Sequence, residues 1–188
     1  MKFLLTAFIL LSLMITPSWA KTHQEQDQAA LNAVYLQYAK AFDALDANEL
    51  TPVYAENATY LPEQPSNGII KGRAEVLALY QKFFDRVKKR RATLEVDFRV
   101  VDRQRHGNEV IDICYYMVRF HPPKDTEEPI SEFAGKLVMV LKQDEKAQWQ
   151  AVLDVSNRAE PQLYYDATPK PNWYYGEQFS PLKAPINP

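Results

Sequence analysis

Two charged side chains interrupt apolar, strand-like runs near the end of the chain, and they are the first candidates for chemistry. Lys136 stands in FAGKLVMVL and Asp154 stands in AVLDVSN. A charge in such a run lies at a solvent edge, or it enters a pocket and meets a partner. Because the two runs read as neighbouring strands, the sequence predicts a Lys136–Asp154 pair across them. The pair would be a structural ion pair or part of a polar pocket floor.

A second carboxylate, Glu63, follows Pro62 in the turn-rich stretch LPEQPSNG. It is either a solvated loop charge or a carboxylate at the mouth of a pocket. Glu63 and Asp154 are therefore the two candidates for a general base, and whether any reaction is catalysed stays open.

The histidines and the cysteine do not indicate a metal site. His23, His106, His121 and Cys114 lack the spacing of metal ligands. The sequence also contains no Ser-His-Asp order, nucleophile elbow or phosphate-binding glycine loop. We therefore expect no metal and no cofactor. Cys114 is the only cysteine, so no internal disulfide can form.

The charge balance argues against a nucleic acid partner. The formal net charge is −2, which gives no general attraction to polyanions. The basic run RVKKRR, from Arg86 to Arg91, is either a solvated helix C-terminus or a patch that binds an anion or a lipid headgroup.

Hydrophobic spacing indicates three helices followed by four long strands. Helical spacing covers 24–46 and 72–87, and a short helix is expected over NELTPVYA after Asn48. Alternating or β-rich runs cover 93–105, 109–121, 131–142 and 149–157, and short strands are expected in ATYLP and GII. Both faces of the long strands are apolar, so a second layer must cover the face that the helices leave free.

The order of these phrases resembles the NTF2-like superfamily, and within it the SnoaL-like, ketosteroid-isomerase-like branch. The resemblance rests on YAENATY, on the G-x-x-x-G-R-x-x-V-x-x-x-Y phrase from Gly68 to Tyr80, and on the closing WQAVLDVSN. It covers residues 27–157. It implies an α+β cone in which three N-terminal helices pack on a strongly bent antiparallel sheet of four long strands plus short strands. In that cone Tyr54 and Ala55 would close the second helix.

The resemblance raises the question whether this chain has the residues of the steroid isomerase mechanism. That mechanism uses an aspartate as the base, and its oxyanion hole is formed by a tyrosine and a protonated aspartate. Tyr38 matches the tyrosine. The base position falls on Pro62, and the acid position falls near Lys136, where no carboxylate occurs. We therefore expect that mechanism to be absent. The predicted ligand-binding residues are Tyr38, Tyr60, Tyr116, Lys136 and Asp154.

The two ends of the chain differ from its centre. Residues 1–20 have a basic start, an apolar run and a Ser18-Trp19-Ala20 close, which is typical of a signal peptide cleaved after Ala20. We expect a periplasmic or secreted protein without a stable membrane anchor. The domain then covers 21–158. Residues 159–188 are rich in proline and aromatics, which predicts an extended arm without helix, docked on the domain or on a neighbouring subunit.

Three functions remain open at this point. The first is binding of a small, mostly apolar ligand in the cone pocket. The second is a lyase or isomerase that uses a pocket carboxylate as general base. The third is an interaction module that acts through the arm and the outer sheet face. A homodimer through the outer sheet face fits all three.

Overall fold

The computed structural model describes residues 18–64 and 66–182. Most of the predicted signal peptide (1–17) and the end of the arm (183–188) lie outside the described residues. The helices are α1 (Ser18–Ala44), a 3-10 helix (Ala47–Leu50), α2 (Arg73–Lys89) and α3 (Pro161–Tyr165). The strands are β1 (Tyr54–Leu61), β2 (Ile70–Lys71), β3 (Thr93–His106), β4 (Glu109–His121), β5 (Ser131–Gln143) and β6 (Trp149–Ala159).

The strands form one curled, unclosed sheet in the order β2-β1-β6-β5-β4-β3. The four long strands β3 to β6 pair antiparallel in sequence order, which confirms the predicted meander. β1 joins the far side of β6 in parallel, and β2 pairs antiparallel with β1. The predicted α+β class is confirmed.

The inner face of the sheet packs against α1 and α2 and forms the main core. Tyr35, Leu50, Phe84 and Phe98 are fully or almost fully buried there. Side chains alternate along each strand, so the residues on either side of Phe98 point to the outer face. This alternation decides which polar residues can reach a cavity beneath the helices.

The second helix is shorter than predicted and lies earlier. Asp46, rather than Asn48, is its N-cap and accepts a hydrogen bond from the Asn48 N–H at 2.9 Å. After Leu50 the chain contains β-branched residues and Pro52, which favour extended structure over helix. Tyr54 therefore begins β1, and the expectation that it closes a helix is wrong.

The arm docks on its own domain, across the edge of β3 and the outer face of the sheet. The Val100 N–H donates to the Tyr174 carbonyl at 2.9 Å, and the Gly176 N–H donates to the Phe98 carbonyl at 2.8 Å. Tyr164 and Phe179 are buried against the outer face. The expectation of an arm without helix is wrong, because α3 starts with Pro161, at a position where proline needs no hydrogen-bond partner.

Within residues 18–64 and 66–182, the helices include none whose length and apolar character would let it cross a bilayer.

Candidate functional site

A cavity of about 400 Å³ lies between the inner face of the sheet and the helices α1 and α2. Aromatic rings line it, including Phe42 of α1, Phe83 of α2, Phe98 of β3 and Phe133 of β5. These positions face inward because helical spacing and strand alternation turn their apolar stripes towards the same space. The size and the aromatic walls are typical of a site for a small organic molecule.

Asp154 lies at the buried floor of this cavity. Its side chain is 1% exposed, and its Oδ2 accepts a hydrogen bond from the Tyr54 hydroxyl at 2.6 Å. Its Oδ1 is buried and has no hydrogen-bond partner among the described residues. Burial raises the pKa of Asp154 to about 7, although the Tyr54 hydrogen bond opposes the shift. This carboxyl can therefore take up or release a proton near neutral pH.

The hydroxyls of Tyr38 and Tyr80 lie close to the Tyr54 hydroxyl that donates to Asp154. The Tyr38 and Tyr54 oxygens are 3.3 Å apart, the Tyr54 and Tyr80 oxygens are 3.5 Å apart, and Tyr38 and Tyr80 also share a hydrogen bond. Burial raises the pKa of each of these three hydroxyls, so they stay protonated at neutral pH. Tyr60 stacks on Tyr80 with ring centroids 5.7 Å apart. The floor therefore combines one titratable carboxyl with neutral O–H groups.

Glu63 stands at the mouth of the cavity and is already paired. The Tyr116 hydroxyl donates to Glu63 Oε2 at 2.5 Å, and Arg158 lies 2.8 Å from Glu63 Oε1. The Arg158 guanidinium also lies over the Phe133 ring, 3.9 Å from its centroid. A Cβ at Gly135 would overlap the Tyr116 ring, so the glycine is what lets Tyr116 reach Glu63. This geometry favours a structural or orienting role for Glu63.

Solved structures of other proteins share this architecture. An NTF2-like protein from Novosphingobium aromaticivorans matches with a TM-score of 0.61 and 15% identity, over 76% of this chain and 88% of its own. A ketosteroid isomerase-like protein from Erwinia carotovora atroseptica matches with a TM-score of 0.56 and 13% identity, over 72% and 98%. The chain has the NTF2-like fold. The predicted cone is thus confirmed.

A further NTF2-like neighbour comes from Streptomyces avermitilis and is provisionally described as a dehydratase. It matches with a TM-score of 0.57 and 12% identity, over 73% of this chain and 99% of its own. No protein-family model and no characterised protein sequence matches this chain significantly. At these identities the likeness concerns the fold, and the chemistry must be argued from the cavity itself.

The structure of this NTF2-like domain places five of the six predicted site residues around the cavity. Tyr38, Tyr60, Glu63, Tyr116 and Asp154 all line it.

Lys136 is the exception. It is exposed on the outer face, where its antiparallel partner on β6 is Asn157, whereas Asp154 lies opposite Met139. Positions 154 and 157 are an odd number of residues apart and so point to opposite faces of the sheet. The predicted Lys136–Asp154 pair is therefore wrong.

Several contributors to the site lie outside the predicted site residues. Tyr54 is expected at a helix end, and Tyr80 is singled out only as the last residue of the Gly68 to Tyr80 phrase. Lys82 and Arg158 reach the mouth from α2 and β6. The sequence does contain a signal for Arg158, because it follows Asp154 and Ser156 at a spacing of two on a strand.

Charged side chains also form pairs away from the cavity. On the inner face Arg103 donates to both oxygens of Asp112 at 2.7 Å, and Tyr35 donates to the same carboxylate at 2.7 Å. On the outer face Arg119 lies 3.1 Å from Glu132. Asp112 and Arg119 thus point to opposite faces, as alternation predicts. The described residues contain no group of three or more His, Cys, Asp and Glu side chains that could hold a metal ion.

Proposed function

We propose that this protein binds a small, mostly apolar molecule that carries a hydrogen-bond donor, and that Asp154 accepts that hydrogen bond. The observation that carries the proposal is that Asp154 lines an aromatic cavity while its buried Oδ1 has no partner among the described residues. No described tyrosine hydroxyl donates to Oδ1, and the Tyr54 hydroxyl donates to Oδ2 instead.

The energetics favour a ligand with one donor over a fully apolar ligand. A buried acceptor without a partner costs about 1–3 kcal/mol, and a ligand hydroxyl would remove that cost. The aromatic walls supply the remaining attraction through apolar burial. Specificity would then come from one polar anchor in an otherwise apolar site, which is a common design for ligand pockets.

The test compares two probes of similar shape, 2-naphthol and 2-methylnaphthalene, by ligand-observed NMR titration. We expect 2-naphthol to bind about fivefold to tenfold more tightly, because only its hydroxyl can donate to Asp154. Asp154→Ala should abolish this preference. Lys136→Ala is the matched control, since Lys136 lies on the outer face of the neighbouring strand. Equal affinities for the two probes, or no binding of either, would contradict the proposal.

A second candidate function is proton transfer, with Asp154 as general base. The observation that favours it is a buried carboxyl in the cavity lining, where burial raises the pKa to about 7. A base is most effective when its pKa lies near the working pH. Glu63 is the weaker candidate because Arg158 and Tyr116 already occupy its oxygens. Isomerase-like and dehydratase-like neighbours share the fold, which is compatible with such chemistry.

Proton transfer can be tested with 2-tetralone, a naphthalene-sized ketone with acidic α-hydrogens. In D₂O, Asp154 would remove an α-proton to give the enolate, and a deuteron would then be returned to the same carbon. We expect faster deuterium incorporation than in buffer, with a loss of about 100-fold or more of that acceleration in Asp154→Asn. An unchanged rate in the variant would rule out Asp154 as the base.

Export and a homodimer also remain proposals. Export is supported by the composition of residues 1–20 alone. Both can hold whether or not the cavity is catalytic.

A further inference from the structure

The rim of the cavity carries an excess of positive charge. Lys82 and Arg86 reach it from consecutive turns of α2, and Arg158 reaches it from β6. One carboxylate, Glu63, stands among these three cations on the described part of the lining. Asp154 also lines the cavity, but it is buried at the floor.

Only one of the three cations is neutralised at the rim. Arg158 pairs with Glu63 at 2.8 Å, which occupies that carboxylate. Lys82 and Arg86 are exposed and form no ion pair with any described residue. Asp85, between them in sequence, accepts a hydrogen bond from Gln81 at 2.8 Å on the same helix.

The rest of the basic run does not contribute to this rim. Arg90 pairs with Glu128 at 2.8 Å, and Arg91 pairs with Asp125 at 3.0 Å. Both acids lie in the segment between β4 and β5. Of the run from Arg86 to Arg91, Arg86 alone lines the cavity.

We propose that the ligand is an amphipathic carboxylate. Its anionic group lies between Lys82 and Arg86 at the mouth, its apolar body fills the aromatic cavity, and a hydroxyl at the opposite end donates to Asp154. This inference rests on the proposed function for the floor of the cavity and adds the charge that the mouth selects.

The orientation follows from the cost of burying charge. A carboxylate that entered first would lose its hydration and would face Asp154, which is itself a carboxyl group. At the mouth the same carboxylate stays partly hydrated and meets two cations whose flexible side chains can follow it. The hydroxyl end is neutral and is the end that can be buried next to Oδ1.

A dissolved ligand fits the geometry better than a membrane surface. Lys82 and Arg86 border the opening of an apolar cavity. An anionic group bound between them can therefore belong to a ligand whose apolar part lies inside the cavity. A surface that recognised lipid headgroups would instead gain from every exposed cation of the helix. Lys88 is such an exposed cation of α2, and it does not line the cavity.

The experiment adds 6-hydroxy-2-naphthoic acid to the naphthalene series, because it carries a hydroxyl at one end and a carboxylate at the other. We expect the full mature protein to bind it about threefold to tenfold more tightly than 2-naphthol at low ionic strength. The preference should shrink as salt is added. In Lys82→Gln/Arg86→Gln the preference for 6-hydroxy-2-naphthoic acid over 2-naphthol should fall below twofold.

Lys88→Gln/Lys124→Gln is the matched control, since it removes the same charge from residues that do not line the cavity. Equal affinity of the wild type for 6-hydroxy-2-naphthoic acid and 2-naphthol would overturn the inference but would not contradict the proposed function. A preference that survives the rim substitutions, or falls equally in the control, would also overturn it. So would binding to anionic phosphatidylserine vesicles without binding of the dissolved carboxylate. If the wild type did not bind 2-naphthol, that result would instead contradict the proposed function itself.

Discussion

Asp154 combines burial, a raised pKa and an unpartnered oxygen, and this combination costs stability in the absence of a ligand. In the folded protein burial raises the pKa of Asp154 to about 7, whereas in the unfolded chain its pKa is near the ordinary value of 3.8. Between these values the folded state binds more protons than the unfolded state. The contribution of Asp154 to stability is therefore largest below about pH 4 and is lost as the pH rises to about 7.

This sign can be measured with Asp154→Asn, which cannot ionise. We expect the free energy of unfolding of the variant, relative to the wild type, to rise by roughly 2–4 kcal/mol between pH 4 and pH 8. Urea unfolding followed by circular dichroism at several pH values provides the data. A difference that does not change with pH would show that Asp154 is not buried as described.

At this scale the sequence predicted the cavity residues better than their partners. Asp154 and Lys136 were singled out for the same reason, a charge in an apolar strand. The outcome differed because the β5–β6 register places Asn157, and not Asp154, opposite Lys136. Strand register depends on the bulges and turns along the paired strands, and the hydrophobic pattern of a single strand does not specify them. Tyr54 was missed for a related reason, since its role depends on where the preceding helix ends.

The arm is the element whose attachment depends most on buried polar contacts. Asp97 accepts hydrogen bonds from the Tyr174 hydroxyl at 3.1 Å, the Tyr164 hydroxyl at 3.2 Å and the Gln178 N–H at 3.2 Å. Arg99 donates to the Tyr164 carbonyl at 2.8 Å. The proline and aromatic content predicted a docked arm. It could not predict α3 or this polar clamp, because both require the alternation of β3 to place Asp97 and Arg99 beneath the arm.

Gly176→Ala tests this attachment. A Cβ at Gly176 would collide with the Asp97 carboxylate, so either the arm or Asp97 must move. We expect a loss of about 1–3 kcal/mol in the free energy of unfolding, with faster hydrogen exchange at the Val100 and Gly176 amides.

Gly68→Ala is the control for this change, since no described atom beyond its chain neighbours lies within 4 Å of a Cβ there. It should leave stability within about 0.5 kcal/mol of the wild type. Unchanged exchange at Val100 in Gly176→Ala would mean that the arm is not held by this contact.

At the scale of the whole molecule, the described arm leaves part of the outer sheet face as an apolar surface. Ile111, Val140 and Leu153 form one row across three strands, and Ile113, Val138 and Val155 form a second. All six are partly exposed, and none packs against either buried cluster. The sequence predicted that both sheet faces need cover. The helices cover the inner face and the arm covers one part of the outer face.

We propose that a second copy of the chain covers these two rows, because an aliphatic patch on adjacent strands can pair with its own copy about a two-fold axis. The protein should then be a dimer by size-exclusion chromatography with light scattering at micromolar concentration. Val138→Lys places a charge in the middle of the patch and should shift the population to monomer, because an unpaired charge would be buried in the interface. Leu36→Lys is the matched control, since Leu36 is 60% exposed on α1.

A wild-type monomer at these concentrations would contradict the dimer. If Val138→Lys remained a dimer, the interface would have to lie on another surface of the cone. Because the cavity opens on the inner side of the sheet, the monomeric variant should still bind 2-naphthol, which separates assembly from ligand binding.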